Sequence, residues 1–211
     1  MPIIASDSSS KLESKPIDAA VYVARCIGMC HIGTIDDTYQ GNPVKRNKIR
    51  ITWETPTELR EFKEGDGEKP YVISNMYTLS LHENSKLKEL LESWRGVKFT
   101  DEEIKGFDLT KVVGKPCMIN IIHTERNGKV YADVKSVTPI AKGIQCPPQI
   151  NPSSIWEYGN PDWDLFNSFP NFLKEMISNS DEFKALKKPE ATTTASPVVE
   201  TVHEEADVLP F

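Results

Sequence analysis

The sequence predicts a mainly β chain, with five strands in one domain and a single helix between the third and fourth. Three observations carry this. Apolar and polar residues alternate at 46–54 and again at 71–81. The period switches to helical once, in "ENSKLKELLESW" at 83–94. Two further alternating runs flank Asn127-Gly128, a dipeptide favoured in two-residue turns because both positions tolerate positive φ.

Residues 19–36, "AAVYVARCIGMCHIGTID", are β-branched and aromatic without helical spacing, and Gly28 and Gly33 mark where a long first strand bends. "DTYQGNP" turns the chain. In 46–54 Ile49, Ile51 and Trp53 share one face and Lys48, Arg50 and Thr52 the other. "TPTELREFKEGDGEKP" (55–70) is polar, holds Gly65, Gly67 and Pro70, and reads as a long hairpin loop. The third strand, 71–81, puts Tyr71, Ile73, Asn75, Tyr77, Leu79 and Leu81 on one side.

In the helix Leu87, Leu90, Leu91 and Trp94 form one stripe, with Asn84 or Ser85 as its cap. "FTDEEIKGFDL" adds a short helical turn with Thr100 as N-cap and acids behind it. Residues 115–140 then give strands four and five as a β-hairpin.

Five strands with a helix between the third and fourth is the order of an OB-fold, a small, partly open five-stranded barrel that mainly holds oligonucleotides. A plain five-stranded sheet covered by one helix has the same order and stays open. The predicted organisation is a flexible N-terminus (1–18), the OB-fold domain (19–140), an extension (141–188) and a disordered acidic tail (189–211). The extension is Pro- and Asn-rich at first and packs on the surface through Ile155, Trp156 and Trp163. It then forms one helix at 166–188, with a break near Ser178–Ser180.

The 211 residues carry a net charge of −6. Five of the 31 acids lie in 189–211, which has no Lys or Arg, so 26 acids face 25 bases elsewhere. The acidity belongs to the tail, and the folded part is free to carry a basic face. No run approaches the roughly 20 apolar residues that cross a bilayer. The N-terminus lacks a basic region followed by an apolar one, so a cytoplasmic, non-membrane protein is expected. Four cysteines are too few for a disulfide framework. "CIGMCH" invites a zinc site, but in a strand Cys26 and Cys30 stand roughly 13 Å apart at about 3.3 Å per residue. No metal or other cofactor is expected.

Catalytic signatures are missing from the sequence: it has no phosphate loop, nucleophile elbow, His-Glu-x-x-His or dinucleotide fingerprint. The basic and aromatic content of the predicted sheet points instead to nucleic acid. Lys45, Arg46, Lys48 and Arg50 open the second strand. Trp53, Tyr71, Tyr77 and Tyr131 lie on neighbouring strands, and Arg126 and Lys129 bracket the hairpin turn. Phosphate contacts combined with base stacking on rings are how single strands are held without sequence preference. Each ring has a competing role in the core, and edge lysines also serve to block aggregation.

The chain ends "HEEADVLPF". Acids ahead of an apolar, carboxylate-bearing end suit capture by a small hydrophobic pocket ringed with cations, with Phe211 in the pocket and Pro210 limiting the entropy lost. Asp207, Val208, Leu209, Pro210 and Phe211 are therefore the candidate partner-binding residues.

The barrel order, the low-complexity linker and the "DVLPF" tip together resemble bacterial single-stranded DNA-binding proteins, whose tips end in acids followed by Ile-Pro-Phe. "LSLHENSKLKELLESWRG" and "GKPCMINIIHTERNGKVYADVKSVTPI" look more like a phage-encoded member with the same role. The resemblance covers 19–140 in pattern and 203–211 in motif. It implies a non-enzymatic protein that coats single-stranded DNA in replication or recombination and recruits partner proteins through its tail. Ala206 and Val208 interrupt the acidic run, a departure from the bacterial tip. Three rivals remain: an OB-fold adaptor that binds protein, an RNA-binding protein, and a nuclease using Asp36, Asp37 or Glu125. A homodimer through 141–188 also stays open.

Overall fold

The computed structural model describes residues 16–62, 65 and 67–186. The chain is mainly β: β1 (Val21–Tyr39), β2 (Asn42–Glu61), β3 (Glu68–Thr78), β4 (Pro116–Arg126), β5 (Lys129–Thr138) and the short β6 (Ser154–Trp156). The helices are α1 (Lys86–Arg95), α2 (Asp101–Lys105), α3 (Trp163–Ser168), α4 (Asn171–Ser178) and α5 (Asp181–Ala185). No helix among the described residues is long and apolar enough to cross a membrane.

The strands form a sheet in the order β3-β2-β1-β4-β5, all antiparallel, while β6 pairs parallel with β1. β3 and β5 are the edges, and no backbone ladder joins them among the described residues, so the sheet is open. One side chain spans the gap: Asn75 Nδ2 donates to the Val134 carbonyl at 3.0 Å.

Alternation works as expected in β2. Ile49, Ile51 and Trp53 are buried, opposite Tyr77, Asn75 and Ile73 of β3, and face the main core with Leu87, Leu91 and Trp94 of α1. Trp53 is fully buried and its ring lies 6.4 Å from that of Trp94. Ser85 caps α1, Gly96 ends it in the left-handed region, and Thr100 with Glu103 forms a complete capping box at α2. Asn127 and Gly128 take φ of 52° and 72° in the β4–β5 turn.

Four expectations are corrected. The 55–70 "loop" is mostly strand: Leu59, Arg60 and Glu61 pair with Pro70, Lys69 and Glu68 in a β2–β3 hairpin that reaches beyond the core. A hairpin wet on both faces has no apolar alternation to betray it. The N-terminal segment is tied down from Pro16, with Ile17 fully buried and His123 Nε2 bonded to its carbonyl at 2.8 Å. The single helix at 166–188 is three helices, broken at Pro170 as well as at Asn179–Ser180. Finally, β6 is a strand that no pattern announced. The expected flexible N-terminus and disordered tail otherwise fall outside the described residues.

A second hydrophobic cluster joins the extension to β1. Cys30 and Ile32 pack with Trp156, Leu173 and Ile177, surrounded by Trp163, Phe166, Phe169 and Phe183. Cys26 belongs to the main core and Cys30 to this one, and burial pushes both thiols up to about 12. At the far end Glu182 accepts from the Thr34 backbone N–H (2.5 Å) and hydroxyl (2.7 Å), and Lys45 reaches Asp181 at 2.6 Å. Gly33, at φ +90°, makes room: a Cβ there would stand 2.8 Å from Ser180 Cβ. Gly33→Ala should therefore cost about 1–3 kcal/mol through backbone strain alone, seen as a lower urea midpoint. An unchanged midpoint would remove Gly33 from the docking of α5.

Candidate nucleic-acid interface

The end of the β1–β2 hairpin, β3, the start of α1 and the β4–β5 pair enclose a groove of about 1040 Å³. Its lining includes four cations (Arg46, Lys48, Lys86, Lys135) and three carboxylates (Asp37, Glu89, Asp133), with Tyr39, Tyr77 and His82 among them. The Arg46 guanidinium lies over the Tyr39 ring at 5.0 Å, and that ring is 54% exposed. Asp37 sits between the cations, 2.8 Å from Lys48 Nζ and 3.7 Å from Arg46 Nε. The hydrogen bond to Lys48, then that from the Thr38 backbone N–H, holds its carboxyl below the usual range. Tyr77 closes the apolar end of the groove; burial pushes its phenol up to about 12, so it stays neutral.

The predicted site residues separate into groups. Arg46, Lys48 and Tyr77 come together in the groove. Lys45, adjacent to Arg46 and so pointing the other way, is held by Asp181. Arg50 points outward beside Phe172, 5.3 Å from its centroid. Arg126 and Tyr131 stand at the groove's rim: Arg126 pairs with Asp133 and lies 5.6 Å over the exposed Tyr131 ring. Lys129 is exposed on the same hairpin, opposite Arg126.

Two rings do not fit a stacking role in the groove. Trp53 is a core residue with no accessible face, because the strand period that grouped it with Ile49 and Ile51 puts all three inside. Tyr71 belongs to the β2–β3 hairpin, packed against Phe62 and under Arg60. The partner-binding residues Asp207, Val208, Leu209, Pro210 and Phe211 lie outside the described residues.

Sequence reading missed Tyr39, His82, Lys86 and Lys135. Tyr39 was legible in principle: it precedes Gln40-Gly41, both at positive φ in the turn, and folding back a tight hairpin there brings it near Arg46. His82 and Lys86 are neighbours at the start of α1, and they meet Lys135 only through the packing of α1 against β5.

Chemically, the groove offers cations beside an exposed ring and neutral hydroxyls, which suits an extended anion with flat apolar groups. Asp37 already occupies the place an external anion would take. Asp37→Asn should raise the salt needed to elute the protein from heparin, and by more than Asp36→Asn, which removes the same charge from an exposed neighbour. Equal shifts would mean that Asp37 does not mask the groove.

No family model matches this chain, and no curated protein matches it.

Proposed function

We propose that the protein binds single-stranded DNA through this groove, with little sequence preference and without catalysis. The observation that carries the reading is the Arg46–Tyr39 pair beside Lys48, a cation and an exposed ring sharing one concave surface. Arg46 and Lys48 neutralise phosphates, while Tyr39 stacks a base, with Tyr131 and Arg126 continuing the path at the rim.

The OB-like reading of the fold supports this. β1 pairs with both β2 and β4, α1 falls between β3 and β4, and Asn75 ties the two edge strands where a partly open barrel would close. OB-folds bind oligonucleotides on the face of strands 2 and 3 and on the loops between strands 1–2 and 4–5. On that reading Arg46 and Lys48 on β2, with Tyr39 at the end of β1 and Tyr131 near the start of β5 beside the two turns, would line such a surface. The nuclease alternative has little to draw on, since Asp37 is engaged by two cations and Glu125 is exposed on another hairpin.

The role in replication or recombination rests on the "DVLPF" tip and its resemblance to the single-stranded DNA-binding proteins. Residues 203–211 recruit partner proteins, and their acids compete with DNA for the basic groove.

Anisotropy titration of labelled oligo-dT at two salt concentrations tests the binding. Arg46→Glu with Lys48→Glu should weaken affinity at least about tenfold at low salt and flatten the salt dependence by about two phosphates' worth. Salt-independent or absent binding by the wild type would favour the protein-binding adaptor, and stronger competition by poly-U than by poly-dT would favour RNA.

Removing 203–211 should leave DNA binding equal or tighter while abolishing partner recruitment. Weaker DNA binding by the truncated chain would overturn the role given to the tail.

A further inference from the structure

Most of the arginines on the sheet and α1 are spoken for. Arg46 meets Asp37, Arg95 meets Glu103, Arg126 meets Asp133, and Arg25 donates to the carbonyls of Gly114 and Pro147. Arg50 differs. It is half-buried, yet among the described residues its guanidinium makes no ion pair and no hydrogen bond. Five N–H donors in a fixed fork are left for something outside the protein, and that fork matches phosphate.

Its surroundings are as particular. Arg50 pairs with Met76 across the ladder, and Thr52 with Ser74, their hydroxyls 2.9 Å apart. Met76 is 47% exposed. Phe172, in the first turn of α4, lies with its ring face against the guanidinium but is itself 52% exposed. α4 does not need that ring for anchorage, because Leu173 and Ile177 are already buried in the second core. Arg50 does not line the groove, but its ladder partner Met76 does, and Arg50 follows Lys48 by two residues on the same side of β2, about 7 Å along the strand.

We propose that Arg50 and Phe172 form a nucleotide subsite, in which the guanidinium takes a phosphate and the Phe172 ring stacks the adjoining base. The extension thereby supplies part of the binding surface. This rests on the single-stranded DNA reading above and adds a second stacking position to it.

The test uses the full chain and two oligonucleotides of equal length, oligo-dT and an abasic analogue. Phe172→Ala should weaken oligo-dT binding by roughly tenfold, the order expected for one stacked base, and leave binding to the abasic strand unchanged. Phe172→Trp should retain wild-type affinity. Arg50→Gln should lower the slope of log affinity against log salt by about 0.7, one phosphate on a single strand. Urea midpoints equal to wild type show that the extension remains docked in each variant.

If the wild type binds oligo-dT and Phe172→Ala matches it within twofold, the subsite is wrong and the groove survives. A loss of equal size on the abasic strand would make Phe172 a structural residue and would also sink the proposal. If the wild type binds neither strand, the DNA reading fails and the subsite fails with it.

Discussion

β2 runs along one edge of β1 from Arg25 to Tyr39, while the other edge is shared between β4, at Val21–Arg25, and β6, at Gly28–Cys30. No straight strand could serve three partners and two cores. β1 manages it by carrying two extra residues, which shift the register between Cys26 and Gly28 and again between His31 and Gly33. Each bulge bends the strand and tightens its twist, so Cys26 and Met29 enter the main core while Cys30 and Ile32 enter the second. Gly28 lies at the first bend because β2 and β6 close in on it. A Cβ there would stand 3.1 Å from Thr52 Cβ and 3.2 Å from Ser154 Oγ. The curvature of this one strand places the tip of the β1–β2 hairpin over the groove.

The extension is held to the bent sheet by carboxylates as much as by apolar contact. Glu54 is fully buried and bonds to the Ile150 and Asn151 backbone N–H groups and to Asn151 Nδ2, all within 2.9 Å. A buried carboxyl group is costly unless its oxygens are hydrogen-bonded, so the 150–151 segment has one seat. Glu182 does the same for α5 through Thr34. Tyr158 adds a third point, its hydroxyl bonded to the Ile32 carbonyl and Ser180 Oγ. Directional bonds at both ends fix where α4 lies, and hence where Phe172 meets Arg50.

Much of the strand-and-helix order was legible because it follows from period and caps. Ile49, Ile51 and Trp53 announced an inward face, Ser85 and Thr100 announced helix starts, and Asn127-Gly128 announced a turn. The same rule that located β2 also showed where the functional reading went astray, since a tryptophan in phase with two isoleucines belongs inside. What stayed hidden had no local signature. β6 is three residues long and exists only because β1 offers it an edge. Lys86 and Lys135 share a groove through packing between elements some 50 positions apart in sequence. The Arg50–Phe172 contact, spanning 122 positions, could not be read from either neighbourhood.

The groove's near balance of charge bears on how it can hold a polyanion at all. Ion pairs open to solvent are weak, so Asp37 neither locks Arg46 and Lys48 away nor leaves their long side chains free to wander. It keeps them oriented toward the groove at small cost; in the proposed reading a backbone phosphodiester, which carries the same single charge as the carboxylate, would displace it because successive phosphates on one strand bind together and release their counterions. The exchange swaps one partner for another, which limits the net gain at each paired cation. Arg50 has no carboxylate to give up. A phosphate bound there would keep its full interaction, with a side chain already held against an aromatic ring. If the surface holds a single strand as proposed, its strongest single contact would fall on the cation without an acid beside it, and the paired ones would supply reach and salt-sensitive steering.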